Sequence, residues 1–212
     1  MDPIRENYLP WSFRLRWPYK NWWKEQATLI KPFYKGAQFV CKLPHGELYF
    51  DSGLAADNDG SPLFTRKAGP RQPPYVDRAH QSQTSWQPHG KDLDANEVPF
   101  IALPIPFYKQ IQRIHRSGFK LGDIAAVFYQ DYEVYAVLAD LGGERLGEGS
   151  IALHRDLGHE LISGGAYHDE SIARDVVTII FPNTSDEDVT TREAIRERGK
   201  KLVDRLIRTR IF

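Results

Sequence analysis

Apolar and polar positions alternate in short blocks along most of this chain, and helical spacing is clearest near its C-terminal end. Ile124–Phe128 and Val134–Ala139 are runs of strand-favouring residues, and the polar Gln130-Asp131 step between them predicts a hairpin turn. Asp140 then stands at a strand end. Ser150, ahead of Ile151-Ala152-Leu153, reads as an N-cap and Gly158 as a left-handed C-cap residue, which predicts a short helix between them. Alternating segments from Gly36 to Phe50 predict an earlier hairpin around Pro44-His45-Gly46, and Phe107 to Arg116 predicts another short helix. Asp51 to Gly90 is rich in Gly, Pro, Asp, Gln and Ser with little periodicity, so it reads as a long irregular excursion of the kind that carries function. Pro99, Pro104 and Pro106 confine the strand among them to an edge or a break. Thr190 and Glu193 fit a capping box, and Ile195, Leu202, Val203, Leu206 and Ile207 recur at helical spacing, predicting an amphipathic C-terminal helix. Many short strands with few helices make the expected fold mainly β (α+β), with a barrel-like core.

Composition narrows this picture in three places. A chain of 212 residues with 41% hydrophobic residues supports one full core and one domain. Its 28 basic residues balance its 28 acidic ones, so any charge selectivity has to be local. The C-terminal helix carries Arg196, Arg198, Lys200, Lys201, Arg205, Arg208 and Arg210, but Glu197 and Asp204 interrupt them, which describes a solvated face and not a nucleic-acid surface. Cys41 is alone and sits within Phe39–Leu43 as a packed thiol. No apolar run is long enough to span a bilayer and no apolar h-region follows the N-terminus, so secretion or export by a non-Sec route is the favoured expectation, with a cytoplasmic protein or one already trimmed as the alternatives. Residues 1–36 hold Trp11, Trp17, Trp22 and Trp23 among basic residues; they read as an aromatic arm fastened to the body, with sugar stacking and membrane anchoring as the alternatives.

Chemistry enters with Asp140 and Glu148. An acid at the end of an apolar strand and another on an adjoining loop before a helix start occupy different environments, which is what a general acid and a general base require. The plainer alternative is a turn-forming Asp beside glycine and a Glu serving a helix dipole. His154, His159 and Glu160 do not have the spacing of a zinc-binding helix, and Asp57-Asn58-Asp59-Gly60 opens like a calcium loop but meets Gly69 where the bidentate acid belongs. No metal and no cofactor is expected.

Beyond spacing, the segment resembles the signature of the family 75 glycoside hydrolases, the chitosanases. Gly122-Asp123-Ile124-Ala125-Ala126-Val127, Asp140-Leu141-Gly142 and Gly147-Glu148-Gly149-Ser150 follow the family's order, with Ala56–Gly60, Gln83-Thr84-Ser85, Val98–Ile101 and Asp175–Pro182 around them. The loop between the two acids is about one residue shorter than the family pattern, and Asn58 stands where many relatives carry cysteine. The resemblance implies a six-stranded double-psi-like β-barrel, a core over 37–182 with the C-terminal helix over 183–212, and endo-hydrolysis of β-1,4-linked chitosan or a related amino-sugar polymer with inversion. Asp140-Leu141-Gly142-Gly143 also resembles the Asp-x-Gly-Gly strand end of lytic transglycosylases, which supports Asp140 as the proton donor with Glu148 ionised as the base, an exchange of the two roles staying open. Gly142, Gly143 and Gly147 are expected to let the loop approach the sugar, Asp57, Asp59 and Asp123 to bind glucosamine ammonium groups, and Trp86 or Tyr75 to stack beneath a ring. Two alternatives stay open: a peptidoglycan-cleaving effector or phage enzyme, which would bring an immunity or export partner, and a non-catalytic carbohydrate-binding module.

Overall fold

A computed structural model describes residues 28–29, 35–43, 45–115 and 118–208. Nearly all of the aromatic arm, and Pro44 of the first hairpin, lie outside the described residues. In chain order the strands are β1 (Thr28–Leu29), β2 (Ala37–Lys42), β3 (Leu48–Asp57), β4 (Phe64–Thr65), β5 (Tyr75–Val76), β6 (Phe100–Leu103), β7 (Ile124–Tyr129), β8 (Tyr132–Leu141), β9 (Glu148–Ser150), β10 (Ile162–Ser163), β11 (Ala166–Tyr167) and β12 (Ile172–Ile180). The helices are α1 (Ile105–His115), α2 (Ile151–Asp156) and α3 (Arg192–Arg208).

Strands β3, β12, β7, β8, β6 and β9 are hydrogen-bonded in that order, and β9 returns to β3, so six strands close a mixed barrel. Closure removes the exposed edge that an open sheet of this length would carry. β8 runs parallel to β6 and β9 parallel to β3; the other contacts around the barrel are antiparallel. Alternate residues of the strands point inward, where Leu48, Phe50, Leu54, Ile101, Leu103, Ala125, Val127, Ala136, Leu138, Val176 and Ile180 form one apolar cluster. α1 adds Phe107 and Ile111 to this cluster and covers part of it.

The opposite faces of β6, β7, β8 and β12 form a second cluster with Ile195, Val203 and Leu206 of α3. Gly199 sets how closely that helix approaches, because a Cβ there would lie 2.2 Å from the ring of Tyr135. The amphipathic face expected for α3 is thus the one it buries. Its cap sits one residue later than the sequence pattern indicated: Thr191, not Thr190, accepts the Ala194 N–H through Oγ1 at 3.3 Å.

Two expectations about strands are corrected. The excursion expected from Asp51 begins only at Asn58, since β3 continues through Asp57. Its Gly, Ser and Asp content signalled a turn, but Gly53 serves a bulge: a Cβ there would meet the carbonyls of Ile172 and Ala173 at 2.6 and 2.8 Å, where β12 is irregular. β6 is neither an edge nor a break, because it pairs with both β8 and β9. Pro99 and Pro104 lie just outside its four residues, so neither costs the ladder a donor.

Candidate active site

The extra residue in β8 decides where its terminal acid points. Ile101 pairs with Leu138, but the next β6 residue, Ala102, pairs with Asp140, so two β8 residues oppose one on β6. Without this bulge Asp140 would share the inward face of Leu138; with it, Asp140 shares the outward face of Ala102. Ala102 is also the partner of Glu148 on β9, and Glu148 in turn pairs with Ala55 on β3. Asp57 follows Ala55 by two residues and faces the same way. Three strands, β8, β9 and β3, with β6 between the first two, therefore deliver Asp140, Glu148 and Asp57 to one outer face at one end of the barrel.

Asp59 joins them from the turn after β3. Its backbone N–H donates to Asp57 Oδ1 at 2.9 Å, and its own Oδ1 accepts from Gln81 N at 2.6 Å. Carboxylate oxygens of Asp57, Asp59 and Asp140 all lie within 4.8 Å of one another. Among the described residues this is the one group with metal-ligand geometry, and an all-carboxylate set suits only a hard divalent cation. His154 is not gathered there: it is buried with Nε2 3.1 Å from Ala55 O, and burial pushes its imidazole down to about 4.

Asp140 Oδ1 accepts two hydrogen bonds from Ser85, from the backbone N at 2.8 Å and from Oγ at 2.5 Å. Ser85 is held by its neighbour Trp86, whose N–H donates to Ala139 O at 2.8 Å and whose ring is buried against Gly122. Trp86 is therefore a wedge that fixes the Ser85 loop to β8. With 8% of its surface exposed it offers no platform for a sugar, contrary to expectation. Ser85 carries no spacing signal of its own, so its role was not legible beforehand.

Burial, reinforced by the crowding of like charges, sets the electrostatics. Burial, then Asp140 and Asp59, pushes Glu148 up to about 7. Burial, opposed by the Gln81 N–H and reinforced by Asp140, pushes Asp59 up to about 6, and Asp57 is driven well above the usual carboxylate range by burial and then Asp140. The cluster thus retains protons near neutrality. Glu148, expected to stay ionised near helix amides, is instead about half protonated at pH 7.

The remaining expected site residues separate. Gly143 has φ of 65°, and a Cβ there would lie 2.3 Å from Glu148 Oε2; its missing side chain makes room for that carboxyl. Gly147 has φ of 90° and would strike Gly53 O at 1.9 Å, so it serves β3 contact and not sugar approach. Gly142 does leave open space, its nearest neighbour being Asp140 Oδ2 at 4.0 Å. Asp123 is fully buried and accepts from Lys120 N, Thr184 N and Ser185 N at 2.8–3.0 Å, so it cannot meet an ammonium. Tyr75 is half-buried and packs against Phe64 and Tyr167. Cys41 is buried and its thiol is pushed up to about 12, which makes it inert packing.

Residues 57–207 match the family model of the fungal chitosanases of glycosyl hydrolase group 75. The chain belongs to this family. It is a chitosan-degrading glycosidase, and the matched stretch opens at Asp57, the first acid of the cluster. No curated protein matches the sequence. Among the described residues no helix is long and apolar enough to cross a membrane. A group 75 chitosanase acts on a polymer of amino sugars.

Proposed function

We propose that this glycosidase cleaves β-1,4 linkages of chitosan internally and with inversion, using Glu148 as the proton donor and Asp140 as the base. The observation that carries this reading is that both acids pair with Ala102 and so flank it on one face. Two strand spacings put their backbones about 9–10 Å apart, which suits the carboxyl separation of roughly 6.5–9.5 Å that leaves room for a water.

The roles are the reverse of those the sequence suggested. Glu148 is pushed up to about 7 and half-exposed, so it carries a proton that a glycosidic oxygen can take. Asp140 receives two donors from Ser85, the environment of an anionic acceptor. In the reaction Glu148 gives its proton to the leaving oxygen as the C1–O bond breaks. Asp140 takes a proton from a water that attacks C1 from the opposite side, leaving an inverted hemiacetal and a free 4-hydroxyl.

Reducing-end release from chitosan by Glu148→Gln and Asp140→Asn tests the assignment, with a loss of about 10²–10⁴-fold expected for each. Wild-type activity should decline as pH rises through about 7, where Glu148 gives up its proton. Proton NMR of the first product reads the stereochemistry: an α-anomer supports inversion, and a β-anomer overturns it. Binding of chitosan without any released ends would favour a non-catalytic module.

A further inference from the structure

Beside the carboxyl cluster lies an open groove of opposite character. Phe64 and Pro73 line it with apolar surface, and Arg66, Lys67, Arg78 and Gln72 project around them. No carboxylate lines the groove, and among the described residues none of these three cations is in an ion pair. Arg66 Nε donates to the Arg78 carbonyl at 3.2 Å, which holds the two segments together and leaves the end of the Arg66 guanidinium facing outward.

The groove and the cluster share a wall. His80 and Gln81 line the groove, while Gln81 N donates to Asp59 Oδ1 at 2.6 Å and His80 Nδ1 lies 3.9 Å from the same oxygen. A glycan crossing the carboxyl cluster therefore runs on toward three cations. An ammonium-bearing ring is repelled there, and a ring bearing a carboxylate is attracted and offered planar guanidinium donors.

Resting on the glycosidase reading above, we propose that the Arg66–Lys67–Arg78 groove seats a carboxylate carried by the glycan, so that this chain cuts amino-sugar polymers with carboxylate substituents in preference to fully cationic chitosan. The shared chemistry is a carboxylate on or next to an amino sugar, whether from an ether substituent or a peptide stem.

The test compares two soluble polymers of one backbone, chitosan and carboxymethyl chitosan, using wild type, the double variant Arg66→Gln/Arg78→Gln and the charge-keeping Arg66→Lys/Arg78→Lys. Expected is a loss of about tenfold in kcat/KM on carboxymethyl chitosan for the Gln pair, the scale of one charge-assisted pair, with partial rescue by the Lys pair and no loss on chitosan. Equal loss on both polymers, or none on either, overturns the proposal. Retardation in native gels containing each polymer measures the groove without turnover. If no polymer is cut but carboxymethyl chitosan still retards wild type and not the Gln pair, the hydrolase reading fails and the groove stands; retardation that the Gln pair retains removes the groove. Binding to cell-wall sacculi before and after amidase removal of their peptides then separates the sources: binding that survives assigns the lactyl ether carboxylate, and binding that is lost assigns the peptide.

Discussion

Asp123 and the Asp57–Asp59–Asp140–Glu148 cluster are both acids taken out of water at the ends of barrel strands, and they differ in what meets the charge. Asp123 accepts three backbone N–H groups from the turns before β7 and after β12. The cluster's acids largely meet one another, with Ser85 and Gln81 as the principal donors. Burial of a carboxylate is therefore no sign of chemistry by itself. Burial raises both, but backbone donors work against it at Asp123, which acts as a latch, whereas neighbouring acids add to it in the cluster.

The strongest way to break this contrast is to neutralise one acid from each region. Glu148→Gln should lower chitosan turnover by about 10²–10⁴-fold with no loss of thermal stability. Asp123→Ala should do the converse, orphaning three buried N–H groups at about 1–3 kcal/mol each before relaxation, with near-normal turnover in the molecules that stay folded. Chemical denaturation beside reducing-end assays reads both, and an Asp123 variant that folds normally but is inactive would merge the two regions into one site.

Gly143→Ala tests the boundary between packing and chemistry. A Cβ aimed at Glu148 Oε2, at a left-handed backbone costing about 1–2 kcal/mol, should displace the carboxyl and lower kcat well beyond the modest fall in melting temperature. Gly142→Ala, with open space around it, is the control and should alter stability little.

The smallest effect sharpens the electrostatic side. Glu148 rises from 4.5 to about 7 on folding, so the native state binds its proton more tightly than the unfolded chain. Stability from this group is then fully present below about pH 4.5 and declines as pH rises through about 7. Glu148→Gln should accordingly be more stable than wild type at pH 8 and lose that advantage toward pH 4.5, as followed by denaturant titration across the range. A constant difference at all pH values would mean that folding does not raise Glu148 at all.

Much of this architecture was legible because local rules and the tertiary fold agree. The β7–β8 hairpin turns at Gln130, whose φ is 49°, as the polar step suggested. Ser150 caps α2 through the Leu153 N–H, and Gly158 takes φ of 78°. Ser150 does more than its cap signal implied: its Oγ also accepts from Phe100 N and donates to Val98 O, tying β9 to β6. The pairing of Asp140 with Glu148 was readable from their strand-end and helix-start positions. The raised pKa of Glu148 was not, because it depends on burial and on Asp140 and Asp59 being brought against it by the fold. Likewise Trp86 and Asp123 have residue types that bind sugars and ammonium groups, and only packing shows that both are sealed in. The basic groove escaped notice since Arg66, Lys67 and Arg78 are ordinary surface cations until the β4 and β5 segments bring them together.

The bulge in β8 works like a shift of reading frame within a strand. Upstream of it every second residue is addressed to the oil of the barrel; downstream the same parity is addressed to water and substrate. One residue thus lets a single strand serve as wall and as tool: were Ala139 to pair with Ala102 in an unbroken ladder, Asp140 would fall to the core and Leu141 to the outer face. The loop between the two acids can lengthen or shorten while each keeps its face, because those faces are set by the strands on either side of it, β8 and β9.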